Sequence, residues 1–151
     1  MPVNSPADIP AATWSSLATP DAARRESWKK AGDPTRWAPC GWQWDAVAIT
    51  PLAVGLEALD RMRLSRRRGY PVLADHIRGV LYVLVAPGSC AGIDLPGVSV
   101  LSSGHQILMP CTDYGTASAD WLSHPLEVPP PLVRATHLVK ELQRLTVGWS
   151  A

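Results

Sequence analysis

Two groups of residues have the types and spacing to meet nucleic acid. Five arginines, Arg61, Arg63, Arg66, Arg67 and Arg68, fall within eight residues before Gly69. A guanidinium presents its donors as a planar fork that matches phosphate oxygens, so the cluster is a candidate set of phosphate contacts. The plainer reading is the end of a solvated helix, where cations complement the exposed carbonyls and Glu57 and Asp60 take up some of the charge. Upstream, Trp37, Trp42 and Trp44 lie close together. Clustered indoles can stack on bases, as in single-strand binders, or can cover the edge of a core with their N–H groups satisfied.

A third candidate is a nucleophile. Gly88-Ser89-Cys90-Ala91-Gly92 follows an apolar run and has the G-x-x-x-G spacing of a nucleophile elbow, with Cys90 at its centre. Such chemistry needs the turn to open a helix whose first N–H groups face the developing oxyanion. Ile93-Asp94-Leu95-Pro96-Gly97 cannot form that helix, which weighs against a small cysteine-dependent enzyme. His105 falls in a segment, Ser102-Ser103-Gly104-His105-Gln106, that reads as the turn of a hairpin, and His124 and His137 are isolated. No acid, histidine or cysteine stands beside them at ligand spacing, so neither a metal nor a cofactor is implied. Cys40, Cys90 and Cys111 are odd in number and contain no C-x-x-C pair, which argues against a disulfide framework or a zinc knuckle.

The elements that must carry these residues centre on residues 79–110. Residues 80–86 are an unbroken apolar run, and residues 98–101 and 106–109 are shorter ones divided by Gly and Pro. Near-continuous Val and Leu marks a strand covered on both faces, so other elements are expected on either side of it. Asp45 to Ile49 reads as a strand, followed by a helix capped by Thr50 with Pro51 at its first position and Leu52, Leu56, Leu59 and Met62 at helical spacing. Together these form the first half of a β-α-β unit. Residues 70–74 read as a short strand, and Asp75, His76 and Arg78 as a polar turn. A helix opens at Thr19, Pro20 and Asp21 and closes at Gly32 and Pro34. After Pro129-Pro130-Pro131, a final helix turns Leu138, Leu142 and Leu145 inward and Arg134, His137, Glu141 and Arg144 outward.

A chain of 151 residues fits a single domain with a core of its own, residues 19–151, preceded by a proline-containing arm over residues 1–18. Its formal charge of +1 lacks the basic excess of a dedicated nucleic-acid module, so any contact with phosphates must be local. The N-terminus has no signal-like region and no apolar run is long enough to span a bilayer, so a cytoplasmic location and no membrane partner are expected.

Three blocks in order resemble the bifunctional DNA primase/polymerase domain of the archaeo-eukaryotic primase superfamily. The family pattern D-x-D-P-x-x-G-G-L-x-x-L is similar to residues 48–59, with Pro51, Gly55, Leu56 and Leu59 in place. A second block, G-G-x-H-L-Y-F-x-x-P, is similar to residues 78–87, and a third, G-V-D-V-R-G-x-G-G-Y-V-V-x-P, to residues 97–110. Asp120-Trp121-Leu122 echoes a downstream element. The resemblance implies an α/β (α+β) domain with a mixed central sheet flanked by helices. It also implies a degenerate site, because the acids fall at Ala48, Thr50 and Ser99 and the histidine at Leu81. Two-metal phosphoryl transfer needs carboxylates to hold its divalent ions, and these four side chains supply none. The expectation is therefore a non-catalytic accessory or regulatory module, a pseudoenzyme associated with nucleic acid in DNA replication. The alternatives are a protein-interaction module, using the tryptophan-rich segment and the last helix, and the cysteine enzyme.

Overall fold

The computed structural model describes residues 35–41, 44–64, 70–110, 116–123 and 132–147. The expected arm, the helix from Thr19 and the triple proline lie outside the described residues. Within them the chain forms strand β1 (Thr35–Pro39), strand β2 (Asp45–Ile49), helix α1 (Leu52–Arg61), strand β3 (Val72–Asp75) and strand β4 (Val80–Val85). These are followed by β5 (Val98–Leu101), β6 (Gln106–Pro110), β7 (Asp120–Trp121) and helix α2 (Ala135–Val147).

Five strands form one sheet in the order β5-β2-β4-β3-β7, and β1 pairs with β6 in a separate two-stranded ribbon. Every ladder is antiparallel. The expected mixed sheet is therefore reduced, among the described residues, to one parallel bridge between Val85 and Val133. The expected β-α-β unit is present in split form: β2 and β3 are joined through α1, and β4 is inserted between them, antiparallel to both. The hairpin expected around His105 does not form. The turn exists, with the His105 N–H donating to Ser102 at 3.0 Å, but it carries the chain from β5 in the sheet to β6 in the ribbon.

The continuous apolar run of β4 has the cause its composition suggests, since Leu81, Val83, Leu84 and Val85 are all fully buried. Leu81, Val83 and Val85 meet one face together with Val47, Ile49, Val72 and Ala74, and both described helices cover that face. Leu84 points to the other face with Ala46 and Leu73, and there the ribbon supplies Ala38, Ile107 and Met109. The flanking is thus two helices on one side and a β-ribbon on the other. Each fully buried aliphatic side chain contributes about 1.5–3 kcal/mol, so the two faces together account for most of the cohesion.

Helix α1 starts differently from the capping scheme. Pro51 itself occupies the N-cap and makes no side-chain cap, and the Thr50–Pro51 bond is cis. The Thr50 N–H instead donates to the Gly97 carbonyl at 2.8 Å. Gly97 has φ +72°, and a Cβ there would collide with the carbonyl oxygen of Thr50, so the turn before β5 is fitted to the end of β2. The buried stripe of α1 is Val54, Gly55, Ala58 and Leu59, with Leu52 and Leu56 only half-buried. Small residues hold the centre because the helix lies close on the sheet: a Cβ at Gly55 would sit 2.5 Å from Leu81 Cδ2 and 2.9 Å from its Cβ. Helix α2 buries Leu138 and Leu142 as expected. Glu141, expected outward, is buried and accepts from Arg144 Nη1 at 3.1 Å. The strand expected at residues 70–74 runs two residues further on, from Val72, with Tyr70 packed into the core.

Gly55→Ala should destabilise the fold by about 1–3 kcal/mol through overpacking, despite a gain in helix propensity of about 1 kcal/mol. In a Leu81→Ala background the same substitution should become neutral or stabilising. Denaturant midpoints of the four proteins measure that coupling, and additive effects would show that helix and strand do not touch there.

Candidate functional site

Side chains alternate across the sheet, so Ala48, Leu73, Asp75, Tyr82 and Ser99 share the face on which the ribbon packs. The ribbon does not cover that face completely. It leaves a groove of about 300 Å³ lined chiefly by Trp37, Asp75, Ile77, Arg78, Tyr82 and Gln106. Trp37 is 61% exposed at its edge and also borders a shallower depression beside His105. Among the described residues, Ile77, at 71% exposure, is the other large apolar side chain displayed to solvent.

Asp75 organises one end of this groove. It is the last residue of β3, only 6% exposed, and its Oδ1 accepts from the backbone N–H groups of Ile77 at 3.0 Å and Arg78 at 2.9 Å. That Asx turn reverses the chain into β4 and fixes where the Arg78 side chain begins. Oδ2 accepts no hydrogen bond from the described residues. The turn is held from the other side by His76, whose Nε2 lies 3.0 Å from Asp120 Oδ2 and whose N–H donates to Ala117 at 2.8 Å. Burial raises the pKa of the Tyr82 hydroxyl, the nearby Asp75 charge raises it further, and Arg78 offsets part of this. Tyr82 therefore remains a protonated donor at neutral pH.

The expected site residues do not converge. Arg61 is paired with Glu57 at 3.4 Å and Arg63 is exposed, both at the end of α1 on the helical side of the sheet, away from Trp37. Arg66, Arg67 and Arg68 lie outside the described residues, as does Trp42. Trp44 is a correction to the stacking set: at 2% exposure it is core, packed with the ribbon, and its indole N–H meets no acceptor among the described residues. Only Trp37 of the described tryptophans is displayed for stacking.

The four positions singled out by the resemblance divide between the faces. Ala48 stands directly opposite Ser99 across β2 and β5, and opposite Tyr82 across β2 and β4. Thr50 lies exposed just past β2. Leu81 points the other way, into α1, so it cannot reach that row. Among the described residues no carboxylate takes their place there. Asp45 belongs to the helical side and its Oδ2 accepts from the Gly88 N–H at 2.8 Å, tethering the loop after β4. Asp94 is exposed beyond that loop, and Asp113 lies outside the described residues. Among the described residues no three His, Cys, Asp or Glu side chains are grouped to hold a metal ion.

Cys90 sits in a run of turns with no helix behind it, as its sequence implies, and is 1% exposed. Burial raises its thiol pKa, against a smaller lowering from Ser89. Burial and the charge of Asp45 push Cys40 up to about 11. Neither is an activated thiolate, and Cys111 lies outside the described residues. No helix among the described residues is long and apolar enough to cross a membrane.

No family model, curated protein or solved structure matches the chain. The groove residues Asp75, Arg78 and Tyr82 were not legible as a set, because only the turn they belong to is written locally. What encloses them, β1, has no recognisable strand signature.

In a Cys111→Ser background, iodoacetamide should modify Cys40 and Cys90 of the native protein far more slowly than an unfolded control at pH 8. Ionising the buried Cys40 thiol opposes folding, so its contribution to stability is full below pH 9 and falls as the pH rises through 11. Prompt native-state labelling of Cys90 would restore the thiol-enzyme reading.

Proposed function

We propose that this chain is a non-catalytic nucleic-acid-binding module on a primase/polymerase-like scaffold, acting as an accessory or regulatory protein in DNA replication within the cytoplasm. The observation that carries the reading is Trp37, a large indole held outward at 61% exposure over a groove that also contains Arg78 and Tyr82. Base stacking on an exposed aromatic, with a cation beside it for the backbone, is the general way single strands are held without a duplex. Its non-catalytic part is supported by the donor chemistry of the row that the resemblance singles out. Ala48 and Ser99 face each other where carboxylates would have to hold divalent ions, and neither can. The proposal relocates the phosphate contact to Arg78, with Arg61 and Arg63 reachable only by a strand that wraps past the sheet.

A second reading takes the same surface as a protein contact. It is favoured by Ile77, whose exposed aliphatic side chain beside Trp37 has no role in stacking.

Fluorescence anisotropy with a labelled single-stranded oligonucleotide, at two or more salt concentrations, separates the two. The nucleic-acid reading expects affinity that falls with salt. Trp37→Ala should cost about 1–3 kcal/mol of binding. Arg78→Ala should lower the slope of the salt dependence by about one. Affinity that is absent, or unchanged in the Trp37 variant, leaves the protein-contact reading. Primer synthesis by the purified chain with magnesium would overturn the non-catalytic part.

A further inference from the structure

We propose that the groove beneath Trp37 selects guanine among the bases, with Asp75 as the residue that reads it. This rests on the nucleic-acid reading above and adds to it a specificity. Asp75 is more than nine-tenths buried and lines the groove, with Oδ1 committed to the Ile77 and Arg78 N–H groups and Oδ2 accepting nothing from the described residues. Oδ2 is therefore the carboxylate oxygen left over for a donor on a ligand that enters the groove. Planar ligands that stack on an indole differ in the edge they offer to it. Guanine presents two adjacent donors, N1–H and the N2 amino group. Adenine and cytosine each set a ring-nitrogen acceptor beside one amino group, and thymine and uracil set a carbonyl on both sides of a single N–H. Against a fixed anion, a donor is attracted and an acceptor is repelled.

The remaining polar groups of the groove are of types that suit the adjacent edge of the same base. Arg78 lines the groove, and guanidinium is the side chain best matched to guanine O6 and N7. Tyr82 keeps its proton at neutral pH and offers one more donor. A groove of about 300 Å³ is at the lower end for small-molecule pockets, a size suited to one base with its sugar and phosphate outside. A groove lined by a carboxylate and two aromatic residues would also suit an organic ammonium ion, but Arg78 in the same groove opposes a second cation.

The test uses the whole chain and oligonucleotides identical except at one central base. Guanine should bind about tenfold more tightly than inosine, which lacks only the N2 amino group, and more tightly still than adenine. N1-methylguanine should lose the preference entirely, because the methyl group blocks the donor facing Asp75; this arm needs no variant protein. Asp75→Asn keeps an oxygen for the Ile77 and Arg78 N–H groups and puts an amide N–H₂ where Oδ2 was. It should erase the preference for guanine over inosine while leaving the Trp37-dependent affinity in place. Equal binding of guanine, inosine and N1-methylguanine, with salt-dependent affinity retained, overturns the specificity alone. Loss of all oligonucleotide affinity overturns the underlying reading as well, and displacement of the oligonucleotide by millimolar choline would reassign the groove to ammonium ligands.

Discussion

Leu81 lies against the backbone of a helix at Gly55, with no side chain between them. This contact fixes the distance between α1 and the middle strand of the sheet, and most other features of the domain follow from it. A helix that close can present only small residues at its centre, hence Gly55 and Ala58, and leaves Leu52 and Leu56 at the flanks. Because packed interiors are as dense as organic crystals, the position of Leu81 is transmitted through β4 to both neighbours, β2 and β3. The sheet is then held rigidly on its helical side, and whatever happens on the other face happens against a fixed surface.

That other face is covered by a smaller element. A two-stranded ribbon cannot span five strands, and by packing Ile107 and Met109 onto Leu84 and Leu73 it leaves the turn between β3 and β4 uncovered on one side. The groove is the geometric remainder of this mismatch. Its chemistry comes from the turn: Asp75 must cap the N–H groups of Ile77 and Arg78 for the chain to reverse in so few residues, and doing so leaves one carboxylate oxygen over.

The parts of this arrangement legible in the sequence are those written locally. Asp45 to Ile49, the β4 run and residues 98–101 stand out because β-branched and aliphatic residues bounded by Gly and Pro leave few alternatives. The helix after Pro51 was legible for the same reason, but its cap was not: the backbone of Thr50 is bonded to Gly97, a partner 47 positions away that no local rule reveals. Strand β1 was missed because Thr35–Pro39 has neither alternation nor an apolar run, and it becomes a strand only because β6 pairs with it. Missing it turned β5 and β6 into a hairpin and hid the groove. The three tryptophans looked alike in sequence, and tertiary packing separated them, burying Trp44 and displaying Trp37.

The positions singled out by the sequence resemblance and the groove share one face of the sheet. Ala48 is paired across strands with Ser99 on one side and Tyr82 on the other, so the row that would hold metal ions continues directly into the groove wall. A site for two divalent ions places several carboxylates where solvent and substrate phosphates can reach them, and their mutual repulsion has to be offset by the ions. Ala48 and Ser99 carry no charge, so their row is free of that repulsion and forms a neutral strip on the sheet face that also carries the buried Asp75. Such a surface can still orient a base and a phosphate, because stacking and hydrogen bonding need no metal. It cannot neutralise a leaving pyrophosphate, so on the proposed reading this surface is suited to binding and not to two-metal chemistry.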